Sequence, residues 1–239
     1  MKYLVLYSTK GGHTKVICEA LVEAIRASDS AAQCTTLNLN EFMTTNTLTS
    51  EGVADMKKYD KLVLGASVIY GNFAKELHQF VRQYHPHLNS FPTAFFVVNL
   101  TARKEDKRTP ETNPYARKFL RASPWKPTKA AVFAGALYYP RYSFFDRNMI
   151  RVIMKLTGGD TDPTTEKVYT DWDSVKAFGA DVAAMTADDI PFAHEHAAEV
   201  EKEDALQDRT RRFYRMCFMG VVAGVAAVTR VVSGTKLLK

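Results

Sequence analysis

Lys2-Tyr3-Leu4-Val5-Leu6-Tyr7, followed by Ser8-Thr9-Lys10-Gly11-Gly12-His13-Thr14, opens the chain. The first part is an apolar run, the second is a turn rich in hydroxyl groups and glycine, and the apolar residues between 16 and 25 then recur at helical spacing. This order predicts a strand, an anion-binding turn and a helix. Together they form half of a phosphate-binding βαβ unit.

The turn has the groups that a phosphate monoester needs. Gly11 and Gly12 let the backbone approach an anion, and the next helix presents N–H groups that lack intrahelical partners. The Gly-Lys-Ser/Thr ending of nucleoside triphosphatases and the glycine spacing of dinucleotide-binding folds are absent. An ordinary capped helix start is the alternative interpretation. The predicted phosphate-binding residues are Ser8, Thr9, Lys10, Gly11, Gly12, His13 and Thr14.

Composition limits the possible functions. With 239 residues, 46% of them hydrophobic, the chain suits one α/β domain with an appendage. A net charge of +6 without a nucleic-acid motif favours acidic ligands or a membrane surface, so we predict no nucleic-acid partner. The three cysteines form no CxxC pair, and the histidines lack a third ligand at metal spacing. We therefore predict reduced thiols, no metal site and, because a strand begins at once, no signal peptide.

The remaining chain alternates strands with helices. Strands are predicted at 33–39, 61–67, 93–98 and 130–137, and helices at 74–87, where Pro86 marks the end, and at 172–185. Residues 42–50 predict a polar connection. The pattern predicts an α/β fold, a doubly wound five-stranded parallel sheet in three αβα layers with a helical insertion. Ligands of such sheets bind at the carboxyl ends of the strands.

Two further turns at those strand ends are predicted to contact a planar ring system. Val68, Ile69 and Tyr70 offer a flat apolar wall, and the backbone of residues 99–102 offers polar groups for a ring edge. Taken singly, Tyr70 could be an exposed loop aromatic and Asn99 a helix cap, but the position of both at the ends of neighbouring strands favours a ligand site. The predicted cofactor-binding residues of these turns are Ser67, Val68, Ile69, Tyr70, Gly71, Asn99, Leu100, Thr101 and Ala102.

The arrangement of the three turns resembles flavodoxin, in which the first turn holds the phosphate of FMN and the other two flank its isoalloxazine ring. FMN is the implied cofactor. The usual Thr-Gly-Asn-Thr ending of the flavodoxin loop reads Gly11-Gly12-His13-Thr14 here, so one hydroxyl is missing and an imidazole replaces an amide. We expect His13 to be a loop residue beside the phosphate rather than a catalyst.

Two longer segments, residues 99–120 and 135–172, resemble the bacterial-type, flavodoxin-like protoporphyrinogen oxidases that pass electrons to a quinone. The resemblance covers residues 1–187. It implies FMN-dependent oxidation of protoporphyrinogen IX to protoporphyrin IX in haem biosynthesis, with menaquinone or ubiquinone as the acceptor. Because the flavin carries the redox step, no catalytic side chain is assigned.

Residues 99–155 contain thirteen Lys and Arg but four acidic residues, so their positive charge agrees with an acidic substrate. Guanidinium groups bind carboxylates in bidentate fashion, and tyrosines offer stacking surface. For Arg103 and Arg141 a structural salt bridge is an equal alternative, and the apolar positions of 144–154 indicate either a helix packed on the sheet or a membrane-facing surface. The predicted substrate-binding residues are Arg103, Lys104, Tyr138, Tyr139, Arg141 and Tyr142.

The last part of the chain departs from the family. We predict a flavodoxin-like FMN domain at 1–187, an acidic linker at 188–210 and an apolar C-terminal helix at 211–239, the candidate membrane anchor. The uncharged run 216–229 is shorter than the roughly 20 residues that span a bilayer, so a helix docked on the protein is the alternative. An anchor would place the protein on the cytoplasmic side of a membrane, such as a mitochondrial membrane.

Two other functions stay open at this point. A flavodoxin-type electron carrier or quinone reductase would keep FMN but have no use for the basic, tyrosine-rich second insertion. A tail-anchored adaptor would keep the fold and lose the cofactor. The sequence is compatible with a homo-oligomer.

Overall fold

A computed structural model describes residues 1–45 and 54–191, which contain a five-stranded parallel sheet with the strand order β2-β1-β3-β4-β5. Its strands are β1 (Lys2–Ser8), β2 (Gln33–Asn38), β3 (Lys61–Ser67), β4 (Thr93–Asn99) and β5 (Lys129–Ala134). The helices are α1 (His13–Ser28), α2 (Leu39–Thr45), α3 (Lys75–Leu88), α4 (Pro114–Ala122), α5 (Phe144–Thr157) and α6 (Trp172–Ala184). The predicted doubly wound parallel sheet is confirmed.

The middle strands of the sheet are buried on both faces, which explains their continuous apolar runs. Alternate residues of β1 enter different hydrophobic clusters, because successive side chains of a strand point to opposite faces. Leu4 and Leu6 pack with α3 and α4, whereas Tyr3 and Val5 pack with α1 and α6. The two clusters create the three αβα layers.

The switch point of the sheet lies between β1 and β3. β1 pairs with β2 on one side and with β3 on the other, so the connections that leave β1 and β3 diverge at the carboxyl edge. A crevice at such an edge is the expected ligand site of a doubly wound sheet. The three turns singled out in the sequence, residues 8–12, 67–72 and 99–103, all follow strands that end there.

The predicted strand 130–137 was wrong in its second half. β5 ends at Ala134, and the Gly135 N–H then donates to the Asn99 carbonyl (3.2 Å) while the Gly135 carbonyl accepts from the Tyr169 N–H (3.1 Å). The chain next forms β6 (Ala136–Tyr138), which pairs antiparallel with β7 (Glu166–Val168) in a separate sheet. The apolar pattern continues through Gly135, so the sequence does not indicate that the chain stops pairing with β4 there and pairs with β7 instead.

Two other boundaries differ from the prediction. Helix α3 continues through Pro86 to Leu88. Proline leaves the carbonyl four residues earlier without its backbone donor, and the His85 imidazole nitrogen Nδ1 lies 3.0 Å from that oxygen, on Arg82, and supplies the missing bond. Residues 39–45 form α2 where the sequence predicted a strand end and a polar connection, because buried Leu39 and Phe42 anchor a helical turn on the core.

Within the described ranges 1–45 and 54–191, no helix is long and apolar enough to cross a bilayer. The predicted anchor at 211–239 and most of the predicted linker at 188–210 lie outside these residues.

Gly65 makes a close contact between strands possible. It pairs with Phe96 in register, and a Cβ atom at position 65 would overlap the buried Phe96 ring, which packs against Phe133. We expect Gly65→Ala to lower the free energy of unfolding by about 1–3 kcal/mol, as overpacking does. Urea denaturation measures the loss. Gly11→Ala is the control, because a Cβ atom there has no neighbour within 4 Å. If Phe96→Leu does not reduce the effect of Gly65→Ala, the ring contact is not its cause.

Candidate functional site

The first turn leads from β1 into α1 and leaves the backbone at the start of the helix open on one side. Gly12 adopts φ +84°, a conformation that favours glycine, and no side chain caps the first turn of α1. Thr9 Oγ1 instead accepts a hydrogen bond from the Gly12 N–H (3.0 Å). Nothing lies within 4 Å of a Cβ atom built at Gly11 or Gly12, so the space beside the backbone is open.

Thr14, which follows this turn, has a buried hydroxyl group without a hydrogen-bond partner among the described residues. Its side chain is 1% exposed, and the atom concerned is Oγ1. A buried polar atom without a partner is costly, so the Thr14 hydroxyl would gain a hydrogen bond if a ligand bound beside it. Thr14 lies in the first turn of α1, where free N–H groups and the helix dipole favour a phosphate.

A cleft of about 200 Å³ opens beside the first turn. It is lined by Ser8, Thr9, Lys10, Asn38, Asn40, Ser67, Ile69 and Ala74. Asn38 and Asn40 were missed in the sequence, although Asn38 ends β2 and therefore lies at the same carboxyl edge as the turns after β1 and β3. The rule that located the other turns would have indicated Asn38 as well.

The second turn is a tight hairpin at the end of β3. Ile69 and Asn72 exchange backbone hydrogen bonds of 2.9 and 3.0 Å, and the two residues between them, Tyr70 and Gly71, both have positive φ, +50° and +80°. This is the geometry of a type I′ turn, which strongly prefers glycine at its second central position. Asn72 Nδ2 donates to the Tyr70 carbonyl (3.0 Å) and holds the strained tyrosine backbone. The Tyr70 ring remains 43% exposed at the crevice.

The third turn is organised by Asn99, at the end of β4. Its side-chain oxygen accepts from the Ala102 N–H (3.0 Å) and from Asn113 Nδ2 (3.2 Å), which caps the short 3-10 turn Leu100–Arg103. The Asn99 Nδ2 atom is buried and has no partner among the described residues. The Asn99 side-chain oxygen therefore has a structural role, whereas its Nδ2 atom is a donor that a ligand could use. Ala102 is fully buried, so it can contribute only backbone to a site.

Residues 135–171, between β5 and α6, are called the insertion below. Its helix α5 contacts the first two turns through Asp146. Its carboxylate accepts from Lys10 Nζ (3.3 Å) and from the Tyr70 hydroxyl, and Lys10 also lies 5.4 Å from the centre of the Tyr70 ring. Hydrogen bonds from Tyr70, Ser143 and Lys10 lower the pKa of Asp146 and keep it ionised. Burial, followed by the interaction with Asp146, raises the pKa of Tyr70 to about 12 and keeps its hydroxyl protonated. Asp146 was not among the predicted site residues.

The predicted substrate residues do not form one surface. Tyr139 is fully buried beside Leu137 and Met154, and its hydroxyl donates to the Asp160 carbonyl (2.7 Å). Its ring is therefore closed to stacking on a ligand, because core side chains cover it. The Tyr142 hydroxyl accepts from the Tyr138 N–H (3.2 Å) and braces the same segment.

Among the predicted substrate residues, Arg141 and Tyr138 face outward together. The Arg141 guanidinium lies 4.2 Å from the centre of the Tyr138 ring, and its Nε and Nη2 donate to the two carboxylate oxygens of Glu166 at 3.2 and 2.9 Å. The side chain of Arg141 is still 63% exposed. Lys104 is exposed too. Arg103 instead donates to the Leu100 and Thr157 carbonyls (3.0 and 2.8 Å) and holds the end of α5.

His13 begins α1, but its imidazole points away from the open side of the turn. Its Nε2 lies 2.7 Å from Thr170 Oγ1, and the Thr170 hydroxyl donates to the Ala134 carbonyl (2.7 Å), so the imidazole must be the donor to Thr170. The ring packs edge-on against Tyr138 and Trp172. These contacts tie α1 to the start of α6 rather than to an anion.

Burial lowers the pKa of His13, and the same cause acts on His78 and His87. Near and below the unfolded pKa of about 6.5, the unfolded chain therefore binds more protons at these histidines than the folded chain does. We expect the free energy of unfolding to be highest above this pKa and to fall on acidification from about pH 7.5 to 5.5. Urea denaturation across this range measures the slope. His13→Gln should make it shallower, and an unchanged slope would show that His13 does not contribute.

Among the described residues, no cluster of three or more His, Cys, Asp or Glu side chains is placed to hold a metal ion.

Comparison with known proteins identifies the family of the chain. The model of the flavodoxin domain matches residues 4–164. A protein of Leishmania major named protoporphyrinogen IX dehydrogenase (quinone) is 42% identical over 236 residues, 98% of this chain and 97% of the relative. A protein of the same name from Escherichia coli (strain K12) is 43% identical over 186 residues, 78% of this chain and 97% of the relative. A solved archaeal flavodoxin aligns with 77% of this chain and 96% of its own at 15% identity and a TM-score of 0.43. The chain therefore belongs to the flavodoxin domain family and, within it, to the proteins named protoporphyrinogen IX dehydrogenase (quinone).

Proposed function

We propose that the chain is a flavoenzyme that oxidises protoporphyrinogen IX to protoporphyrin IX and delivers the electrons to a quinone. The observation that carries this function is the identity of 42–43% with relatives of that name, over 97% of their length. A flavin is the cofactor that the flavodoxin domain implies. Most of the basic, tyrosine-rich insertion between β5 and α6, which an electron carrier would not need, lies inside the matched residues 4–164.

We further propose that the flavin is FMN. The support is the first turn, where Thr14 Oγ1 is buried without a partner and the space beside Gly11 and Gly12 is open. This cradle suits a terminal phosphate monoester, since α1 directs its N-terminus at the open space. The Tyr70 turn and the backbone of residues 99–102 would hold the ring system. When bound, the flavin would supply the redox chemistry, because it can accept electrons from the porphyrinogen and pass them to the quinone.

The side chains of the protein would then bind and orient the substrate. The Arg141 guanidinium is exposed and lies beside the Tyr138 ring. The guanidinium could bind a carboxylate of the substrate, and the ring offers a flat apolar surface next to it. Lys10, Tyr70 and Asp146 form a closed polar group that connects the insertion to the phosphate turn. This group would hold α5 over the edge of the site and limit the entry of water.

Residues 211–239 are proposed to anchor the protein to a membrane. The support is the uncharged run 216–229 with basic residues on both sides. The alignment with the Leishmania major relative covers 98% of this chain, and so includes most of the tail, whereas the alignment with the Escherichia coli relative covers 78%. Because the quinone is soluble in lipid, a membrane anchor would bring the enzyme close to its electron acceptor.

The full chain, purified in detergent, tests this function directly. Flavin released by denaturation is identified by chromatography, and porphyrin fluorescence is followed anaerobically after porphyrinogen and a quinone are added. We expect FMN in the released fraction and porphyrin formation that requires the quinone. A flavoprotein that is inert toward porphyrinogen would instead be an electron carrier, and a chain that takes up no flavin would be an adaptor. Release of FAD would overturn only the choice of flavin.

A further inference from the structure

Helix α5 has apolar residues on two roughly opposite sides. One side packs inward, where Met154 is buried with Leu137 and Tyr139 and Ile150 packs against them. The other side carries Phe145, Met149, Val152 and Leu156, whose spacing of four, three and four residues places them in one line along a helix. This line is called the outer stripe of α5 below.

Three of the four residues of the outer stripe are exposed to solvent, and Met149 is half-buried. The relative exposure is 68% for Phe145, 51% for Val152 and 81% for Leu156, and the preceding Phe144 is also 81% exposed. A helix on the surface of a soluble protein normally places polar residues on its outer side. A line of large apolar side chains in that position indicates a surface that binds an apolar partner.

The charges next to the outer stripe indicate what kind of partner this is. Arg151 and Lys155, one turn apart, lie along one edge of the outer stripe, whereas Arg147 lies on the inner side of the helix, where its Nε is buried. The helix has one acidic residue, Asp146, and Lys10 already pairs with that carboxylate. Lys155 is exposed, on the same side of the helix as Phe144. A helix with an apolar face and a basic edge is suited to the boundary between the headgroups and acyl chains of an anionic bilayer.

We propose that the outer stripe of α5 inserts into the surface of an anionic phospholipid membrane, as a contact separate from residues 211–239. The helix would lie in the plane of the interface, with its apolar side chains about 5–10 Å into the headgroup and acyl boundary. Its first turn carries Asp146, which touches Lys10 and Tyr70, so the carboxyl edge of the sheet would face the lipid. The proposal depends on lipid chemistry alone and does not require the redox function.

Tryptophan fluorescence in the full chain tests this contact locally, whatever the tail does. Phe145→Trp and Leu156→Trp each place an indole in the outer stripe, and Ala27→Trp places one on an exposed site at the far end of α1 as the matched control. Each variant is mixed with vesicles of phosphatidylcholine and phosphatidylserine whose acyl chains carry bromine, a contact quencher of indole. We expect roughly twofold lower emission at 145 and 156 but not at 27, and weaker quenching on phosphatidylcholine alone or at high salt. Circular dichroism verifies that each variant is folded.

Three results would overturn the proposal. The first is no quenching at 145 and 156 in protein that sediments with the vesicles. The second is an indole that is already blue-shifted and shielded from acrylamide without lipid at every protein concentration, which would mean that another segment of the chain covers the stripe. The third is shielding that grows with protein concentration, which would mean that a second copy covers it.

Discussion

Replacing Thr14 with Val is expected to weaken FMN binding by about 10- to 100-fold, the loss that follows when a buried hydrogen bond to a charged group is removed. Thr14 Oγ1 is buried and has no partner among the described residues, so its hydrogen bond would be made only when a ligand is present. Valine has nearly the same shape and fills the same space. The lost affinity would therefore come from the hydroxyl group and not from a cavity.

The same substitution has the opposite consequence for the apoprotein. Because the hydroxyl group of Thr14 is buried and unpaired, replacing it with a methyl group should leave the free energy of unfolding unchanged or raise it. Isothermal titration with FMN and urea denaturation without FMN measure the two effects. Thr14→Ser keeps the hydroxyl and should retain most of the affinity. If Thr14→Val bound FMN as tightly as the wild type, the first turn would not be the phosphate site.

Arg141→Ala is expected to lower kcat/KM for protoporphyrinogen by about tenfold or more, mainly through KM, while the FMN content stays unchanged. The guanidinium is exposed beside Tyr138 and can exchange the carboxylate of Glu166 for one of the substrate. Arg117, exposed on α4, is the matched control, and Arg117→Ala should leave kcat/KM near the wild-type value.

Glu166→Gln distinguishes substrate binding from a structural ion pair. This variant removes the partner of Arg141 but keeps the guanidinium. If Arg141 binds a substrate carboxylate, Glu166→Gln should retain or improve kcat/KM, because the competing carboxylate is gone. If the ion pair only holds β7 against the turn that carries Arg141, both variants should lose activity equally, and Arg141 would then be removed from the substrate site.

The sequence was sufficient for the elements that depend on local pattern. β1, β3 and β4 are continuous apolar runs, and such runs are typical of parallel strands buried on both faces. Once the strands are parallel, their carboxyl ends must share one edge, so the turns after β1, β3 and β4 could be placed together without coordinates. The same logic extends to Asn38 at the end of β2, although no glycine-rich turn follows it in the sequence.

Residues far apart in sequence were brought together by the tertiary structure alone. Asp146 meets Lys10 and Tyr70 across 136 and 76 positions, and nothing near Asp146 in the chain indicates those partners. Tyr138 and Tyr139 are neighbours of the same type, yet one faces outward beside Arg141 and the other is fully buried. Local sequence determines secondary structure through propensity and periodicity, but which face of the insertion is buried depends on packing against residues that are distant in the chain.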